Sequence, residues 1–305
     1  MSEFVISGFY DEVSGDLNKQ IALAKELGES YICPRVLNGK NIASYTAEEF
    51  VKDIKPALDA NGIGFSSIGS PIGKIGIEDD KGFERQKKQL AELIKIAQSM
   101  RCGYIRVFSF FYGKNAPDAV QDKVFCRFKE FLEIAKGSGV KLMHENEKKV
   151  FGDTPERVLK LYNELKCEDL TLCFDASNYV QCGVMPLMAF DMLKDYTEYY
   201  HIKDCSEYKV EVPVGTGIGR YPEILAELKK RDYRGFLTLE PHTLKYSIMK
   251  PLVYLVPFMP LVLSNHYKAF RKIDRDMKVP YFKKISAKKV FVWQYERLKE
   301  LLANA

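Results

Sequence analysis

The amino-acid sequence predicts an α/β chain of the (β/α)8 TIM barrel class. Short β-rich runs alternate with amphipathic helical segments about eight times, no Pro/Ser-rich linker breaks the alternation, and 305 residues hold one barrel of roughly 250 residues with chain to spare. The whole of 1–305 is therefore read as a single TIM-barrel domain, with 246–305 a C-terminal helical extension that closes the bottom or outside of the barrel or contributes to a subunit contact. A doubly wound open sheet would show the same alternation, but no G-x-G-x-x-G follows the first strand, which removes the usual dinucleotide fingerprint.

In chain order, the expected strands are Phe4–Phe9, Tyr31–Pro34, Gly64–Ile68, Tyr104–Phe108, Lys141–Glu145, Leu170–Phe174, Tyr199–Ile202 and Gly235–Leu239. Between them, Thr46 and Glu49 form a capping box, and Leu90, Leu93, Ile94 and Ala97 fall on one helical face. Pro155 and Pro222 stand in first helical turns, where a missing N–H is harmless. Gly62, Gly103, Gly139 and Gly235 each separate a helical segment from the next strand, as a left-handed C-cap or turn requires. The run Gly215-Thr216-Gly217-Ile218-Gly219 has the wrong spacing for a phosphate cradle and reads as a flexible loop before the Pro222 helix. A last helix is expected over Val290–Lys299.

Hydrophobic residues at 46% and charged residues at 29% describe a globular chain able to bury a large core. A formal charge of +5, spread along the chain, hints at anionic ligands but is not the clustered groove that a nucleic acid needs. The seven cysteines are odd in number and never form a C-x-x-C pair, which argues against a disulfide framework or a zinc ribbon and for a reducing compartment. The N-terminus lacks the basic region of a secretion signal, and the longest apolar stretch, Pro251–Ser264, is too short to span a bilayer and is interrupted by Pro257 and Pro260. A cytoplasmic protein with no membrane or nucleic-acid partner is expected, and the apolar stretch suggests a contact between subunits of a homo-oligomer.

In a parallel barrel, functional side chains project from the C-terminal ends of the strands. The last four strands end at Glu145, Asp175, His201 and Glu240. Taken singly, each has a plain reading as a helix cap, a surface charge or a packed histidine. At matching positions on successive strands they converge on one point, where three carboxylates would repel one another without a cation. One divalent metal ion is the expected cofactor, and a set of one nitrogen and three oxygens suits Mn, Mg or Co and admits Zn, with Mn favoured.

The stretches HENEKKVFGDTPE (144–156), LCFDASN (172–178), YHIKD (200–204) and GFLTLEPH (235–242), with SPIGKI (70–75) and YIRVFSFF (104–111), resemble the xylose-isomerase-like barrel superfamily of sugar isomerases, ketose 3-epimerases and inosose dehydratases. The resemblance implies that Glu145, Asp175, His201 and Glu240 bind the metal and that Glu145 and Glu240 are also the catalytic acid/base pair. A metal on a carbonyl and its neighbouring hydroxyl would stabilise the enediolate formed when a proton leaves the adjacent carbon. The implied activity is a divalent-metal-dependent sugar or sugar-phosphate isomerase/epimerase, with a small sugar or polyol as substrate. An inosose-type keto-polyol dehydratase, expelling a β-hydroxyl from the same enolate, is the alternative.

Other residues are candidates for substrate binding. Asn178 matches a position where related epimerases place a polar group on a substrate oxygen, although it would also serve as a helix cap. Lys203 lies two residues after His201 on the same strand face and would reach a hydroxyl or phosphate unless it snorkels at the rim. Arg106 and Phe108, with His144 and His242 beside the two glutamates, are candidate pocket residues. The chain departs from D-tagatose-epimerase-like relatives at Glu207, where an arginine is usual, and at Cys33-Pro34-Arg35, where a glutamate commonly ends the second strand. An abasic-site endonuclease of the same fold would need a histidine-rich three-zinc cluster, and this chain has 4 histidines. A non-catalytic binding barrel is disfavoured because all four ligands are present.

Overall fold

Eight strands follow one another where the sequence expects them: β1 (Val5–Gly8), β2 (Tyr31–Ile32), β3 (Gly64–Phe65), β4 (Tyr104–Val107), β5 (Lys141–Glu145), β6 (Leu170–Asp175), β7 (Thr197–Ile202) and β8 (Phe236–Leu239). The computed structural model describes residues 4–255, 261, 263–281 and 283–305. Pro257 and Pro260 lie outside the described residues.

Six strands form one parallel sheet in the order β1-β8-β7-β6-β5-β4, with Val5 opposite Phe236 at one seam and Val107 opposite His144 at the other. β2 and β3 pair in parallel and close the circle. The Cys33 N–H donates to the Gly8 carbonyl at 2.9 Å, and Ile68 bridges to Ile105, with the Arg106 N–H donating to the Ile68 carbonyl at 2.9 Å. The result is a TIM barrel. All six residues of β6 are buried, as expected of a strand covered on both faces.

The outer ring comprises α1 (Leu17–Glu26), α2 (Ala47–Asp53), α3 (Lys55–Asn61), α4 (Asp80–Ser99), α5 (Gln121–Ala135), α6 (Pro155–Leu165), α7 (Ala176–Cys182), α8 (Pro186–Leu193) and α9 (Tyr221–Lys230). Thr46 and Glu49 close both halves of the capping box on α2, and Pro155 and Pro222 occupy first turns of α6 and α9. Leu90, Leu93, Ile94 and Ala97 all turn inward from α4. Two glycine expectations need correction. Gly62 and Gly139 adopt positive φ, but Gly103 and Gly235 do not; Arg101 at φ 52° and Asp232 at φ 51° take the left-handed positions instead. The reversal is made directly after the helix C-caps Met100 and Arg231.

After β8 the chain forms α10 (Thr243–Leu255), α11 (Ser264–Asp276) and α12 (Ala287–Asn304). α12 packs against α9 and reaches the end of α1, where the Tyr295 hydroxyl donates to the Leu27 carbonyl at 2.8 Å and Lys288 meets Glu26 at 2.6 Å. Its Phe291 ring lies 5.1 Å from Tyr10, over the seam of β8 and β1, so α12 takes the place of the eighth barrel helix. α10 and α11 share a second apolar cluster with the hairpin Asp204–Cys205/Glu211–Val212 that follows β7. The 246–305 segment thus covers the outer wall from the end of α1 to the hairpin that follows β7. Among the described residues of its apolar run, Val253 and Tyr254 are buried, while Leu252 and Leu261 are exposed.

Candidate metal centre

Strand direction brings Glu145, Asp175, His201 and Glu240 to the same end of the barrel, within one residue of the ends of β5, β6, β7 and β8. One potential ligand atom from each lies within 4.8 Å of the others, and all four residues are buried. His201 Nδ1 is 3.0 Å from Glu145 Oε1 and 3.4 Å from Glu240 Oε2. The rings of Phe9 and Tyr199 meet the imidazole edge-on, with centroids at 5.2 and 5.7 Å, and hold its plane.

Three cations neutralise part of this charge. Arg106 Nη1 lies 3.2 Å from Glu145 and 3.6 Å from Glu240, and Lys203 Nζ lies 2.8 Å from Asp175 and 3.4 Å from Glu240. Arg35 meets Asp11 at 3.1 Å, Glu12 at 3.2 Å and Glu240 at 3.0 Å. Five carboxylates (Asp11, Glu12, Glu145, Asp175, Glu240) therefore share three cations, a formal excess of two negative charges when all five are ionised. Among the described residues, Glu145 Oε2 and Asp175 Oδ2 are buried without a hydrogen-bond partner, so they depend on ion pairing alone. A donor set of one imidazole and three carboxylates, with Asp175 Oδ2 and His201 Nε2 buried without a hydrogen-bond partner, fits a divalent metal.

The cluster splits its acids. Burial raises the Glu145 carboxyl, but His201 and Arg106 outweigh that and bring it down to about 2. Burial also raises Asp175, and with Glu145 and Glu240 close by it prevails over Lys203, pushing the carboxyl up to about 7. Glu240 is held well below its ordinary value, because Lys203, His242, His201 and Arg106 overcome its burial.

The remaining expected residues fall into two groups. Asn178 belongs to the site: its Nδ2 donates to Glu145 Oε1 at 3.3 Å, and its N–H donates to Asp175 Oδ1 at 2.9 Å as the cap of α7. Lys203 and Arg106 are buried within the ion-pair network, so Lys203 does not snorkel at the rim. His242 is 32% exposed at the edge, 3.9 Å from Glu240 and 3.7 Å from Glu211. His144 is not brought to the cluster. Its Nε2 lies 3.0 Å from Ser109 Oγ and its ring packs on Phe128 of α5, because it neighbours Glu145 on a strand and points to the other side. Phe108 lies under the Arg106 guanidinium at 5.0 Å.

Sequence reading gave no role to Asp11, Glu12, Arg35, Asn146 or Phe9. Applying the strand-end rule to β1 and β2 as well would have found the first three. Asn146 braces the site through its Oδ1, which accepts the Asp175 N–H at 2.9 Å. The loop Gly215–Gly219 is not loose: Asp204 accepts N–H groups from Gly215 and Gly217 at Oδ2 and from Gly219 at Oδ1, at 2.8 to 2.9 Å.

The family described as xylose isomerase-like TIM barrel matches residues 21–252. The chain belongs to this family. A curated relative of the xylose isomerase-like barrel described here, an uncharacterized protein of Methanocaldococcus jannaschii, is 26% identical over 141 residues, and the match spans 44% of this chain and 48% of that protein, about half its length. Among solved structures, the IOLI protein with a bound zinc atom superposes with a TM-score of 0.67 at 14% identity, over 93% of this chain and 100% of that one. A D-tagatose 3-epimerase-like protein gives 0.66 at 18% identity, over 83% and 98%. The probable 3-DHS dehydratase AsbF of Bacillus anthracis gives 0.63 at 18%, over 79% and 93%. At these identities the likeness is one of fold.

Proposed function

We propose that this xylose isomerase-like barrel is a divalent-metal-dependent sugar or sugar-phosphate isomerase/epimerase, with Glu145, Asp175, His201 and Glu240 as metal ligands and Mn the favoured ion. The observation that carries the reading is the buried four-residue cluster at the C-terminal ends of four successive strands, with its excess of negative charge. The fold shared with an epimerase-like protein supports it.

A divalent ion held there would act as a Lewis acid on a carbonyl and its neighbouring hydroxyl, lowering the cost of removing a proton from the adjacent carbon. Asp175 and His201 would help hold it. Glu145 and Glu240 are the acid/base pair: one takes the proton, the other returns it, and the enediolate of the substrate lies between the two events. His201 and Arg106 favour the ionised form of Glu145, and Lys203, His242, His201 and Arg106 favour that of Glu240. Asn178 fixes the Glu145 carboxylate, and in this reading Lys203 and His242 recognise substrate oxygens.

The test is elemental analysis of purified protein, wild type and the Glu145→Gln and Glu240→Gln variants, with Mn supplied and a panel of ketoses analysed by product chromatography. About one metal per chain and isomerised or epimerised sugar, with turnover down ~10²- to 10⁴-fold in the variants, is the expected result. No metal after Mn is supplied would sink the reading. A dehydratase relative of the same fold supports the alternative, and an enone or aromatic product from a keto-polyol would select it. A homo-oligomer is part of the proposal, since Leu252 and Leu261 stay exposed; a monomeric mass by light scattering would remove that part.

A further inference from the structure

We propose that Lys203 is an internal counter-ion that competes with the metal for Asp175 and Glu240 and so sets how tightly the ion is held. The inference rests on the metal-binding reading above and goes beyond it, because it concerns the strength of binding and not the identity of the ligands.

Lys203 sits immediately after β7, two residues past His201, and its strand position turns its side chain inward with the imidazole. Its ammonium contacts an oxygen from each of two ligands, Asp175 Oδ2 at 2.8 Å and Glu240 Oε2 at 3.4 Å. Asp175 Oδ2 has no hydrogen-bond partner among the described residues, so the ammonium charge is what stabilises it. Glu240 Oε2 is also the oxygen that His201 Nδ1 faces at 3.4 Å, on the side where the four ligands converge. A cation bound to these oxygens and the ammonium are therefore alternative partners of the same atoms.

Arg106 and Arg35 differ in this respect. Their guanidinium groups meet Glu145 Oε2 and Glu240 Oε1, oxygens other than the two facing His201 Nδ1, and each is tied elsewhere: Arg106 to the Gly69 and Ser70 carbonyls, Arg35 to Asp11 and Glu12. The lysine has a flexible stem and a point charge, and it can withdraw from the oxygens without breaking a fixed fork of hydrogen bonds. Like charges a few ångströms apart in a buried site repel strongly, so a lysine that stays close weakens metal binding, and its removal strengthens it. The same ammonium shields Asp175 and Glu240 from each other, so its removal weakens the fold when chelator is present.

The test is Mn²⁺ affinity, measured by competition with a chelator, and melting temperature with EDTA or excess Mn²⁺, for wild type, Lys203→Met, Lys203→Gln and Lys203→Arg, each checked for folding by circular dichroism. Lys203→Met and Lys203→Gln should bind Mn²⁺ about tenfold or more tightly than wild type. They should melt lower in EDTA and gain more on adding Mn²⁺. Lys203→Arg should stay within about threefold of wild type, since its charge is kept. Having two neutral variants keeps the test available if Lys203→Met does not fold. If wild type binds Mn²⁺ and a folded neutral variant binds it equally or more weakly, Lys203 is not a competitor and this inference alone falls. If neither wild type nor the neutral variants bind Mn²⁺, the metal reading falls and this inference with it.

Discussion

Asp204 Oδ2 accepts the Gly217 N–H at 2.9 Å across 13 residues of chain. The same carboxylate takes up Gly215, Gly219 and Cys205, so four backbone donors that a solvent loop would leave to water are gathered on one buried side chain. A β-carbon at Gly217 would collide with Asp204 Oδ1 and the Cys205 carbonyl. Gly217→Ala and Asp204→Ala should both release the loop that leads into α9, with a loss of about 1–3 kcal/mol. Trypsin cleavage after the exposed Arg220 measures it: faster nicking in both variants is expected, and rates equal to wild type would mean that Asp204 does not hold the loop.

Metal affinity should depend on pH through Asp175. Its carboxyl is pushed up to about 7 by burial and by Glu145 and Glu240, whereas Glu145 is brought down to about 2. Protons and metal compete for the same oxygen, so affinity should rise from pH 6 to 7, level off above pH 8, and be accompanied by proton release near neutrality. Titration calorimetry in buffers of different ionisation enthalpy measures the released proton. Uptake that is flat from pH 6 to 8 would contradict the assignment.

His144 should shape acid stability instead of catalysis. Burial pushes its imidazole down to about 4 from an ordinary value of 6.5, so between those values the unfolded chain binds a proton that the folded chain refuses. Stability attributable to this residue is full above pH 6.5 and is lost as pH falls towards 4, on the order of 3 kcal/mol at the lower end. His144→Gln should flatten the denaturation profile over that range and leave substrate KM unchanged. A raised KM with an unaltered stability profile would return His144 to the pocket.

Asp274 anchors the α10–α11 layer. It accepts Lys250 Nζ at 2.7 Å and the Tyr254 hydroxyl at 2.7 Å, with the Tyr246 hydroxyl as a third donor, and both charged side chains are buried. Asp274→Ala strands the ammonium and two hydroxyls, which should cost about 3–5 kcal/mol, while Lys250→Met with Asp274→Leu should cost less because no charge is left unpaired. Chemical denaturation of the single and double variants distinguishes the two cases. Equal losses would mean that the pair is not coupled.

Much of the site was legible before the fold, for a definite reason. Glu145, Asp175, His201 and Glu240 are found by asking what ends each strand, and strand ends are local features, readable from β-branched runs and the residues that stop them. Strand alternation was equally local, and it would have turned His144 away from Glu145 had it been applied to the pair. The loop around Gly217 was misread because its partner, Asp204, acts through backbone donors, and donors carry no side-chain signature.

By itself the sequence determined the barrel, the order of its strands and the four acid and imidazole residues at their ends, because each follows from periodicity and punctuation within a few residues. Only the tertiary structure decided which cations those residues meet. Arg35 reaches Glu240 across 205 residues, Lys203 turns inward to Asp175 instead of outward to water, and α12 takes the eighth helical position across the first strand. These pairings exist only once β1 and β8 have closed the ring, since closure brings the two ends of the chain's alternation side by side and removes the water that would otherwise separate their charges.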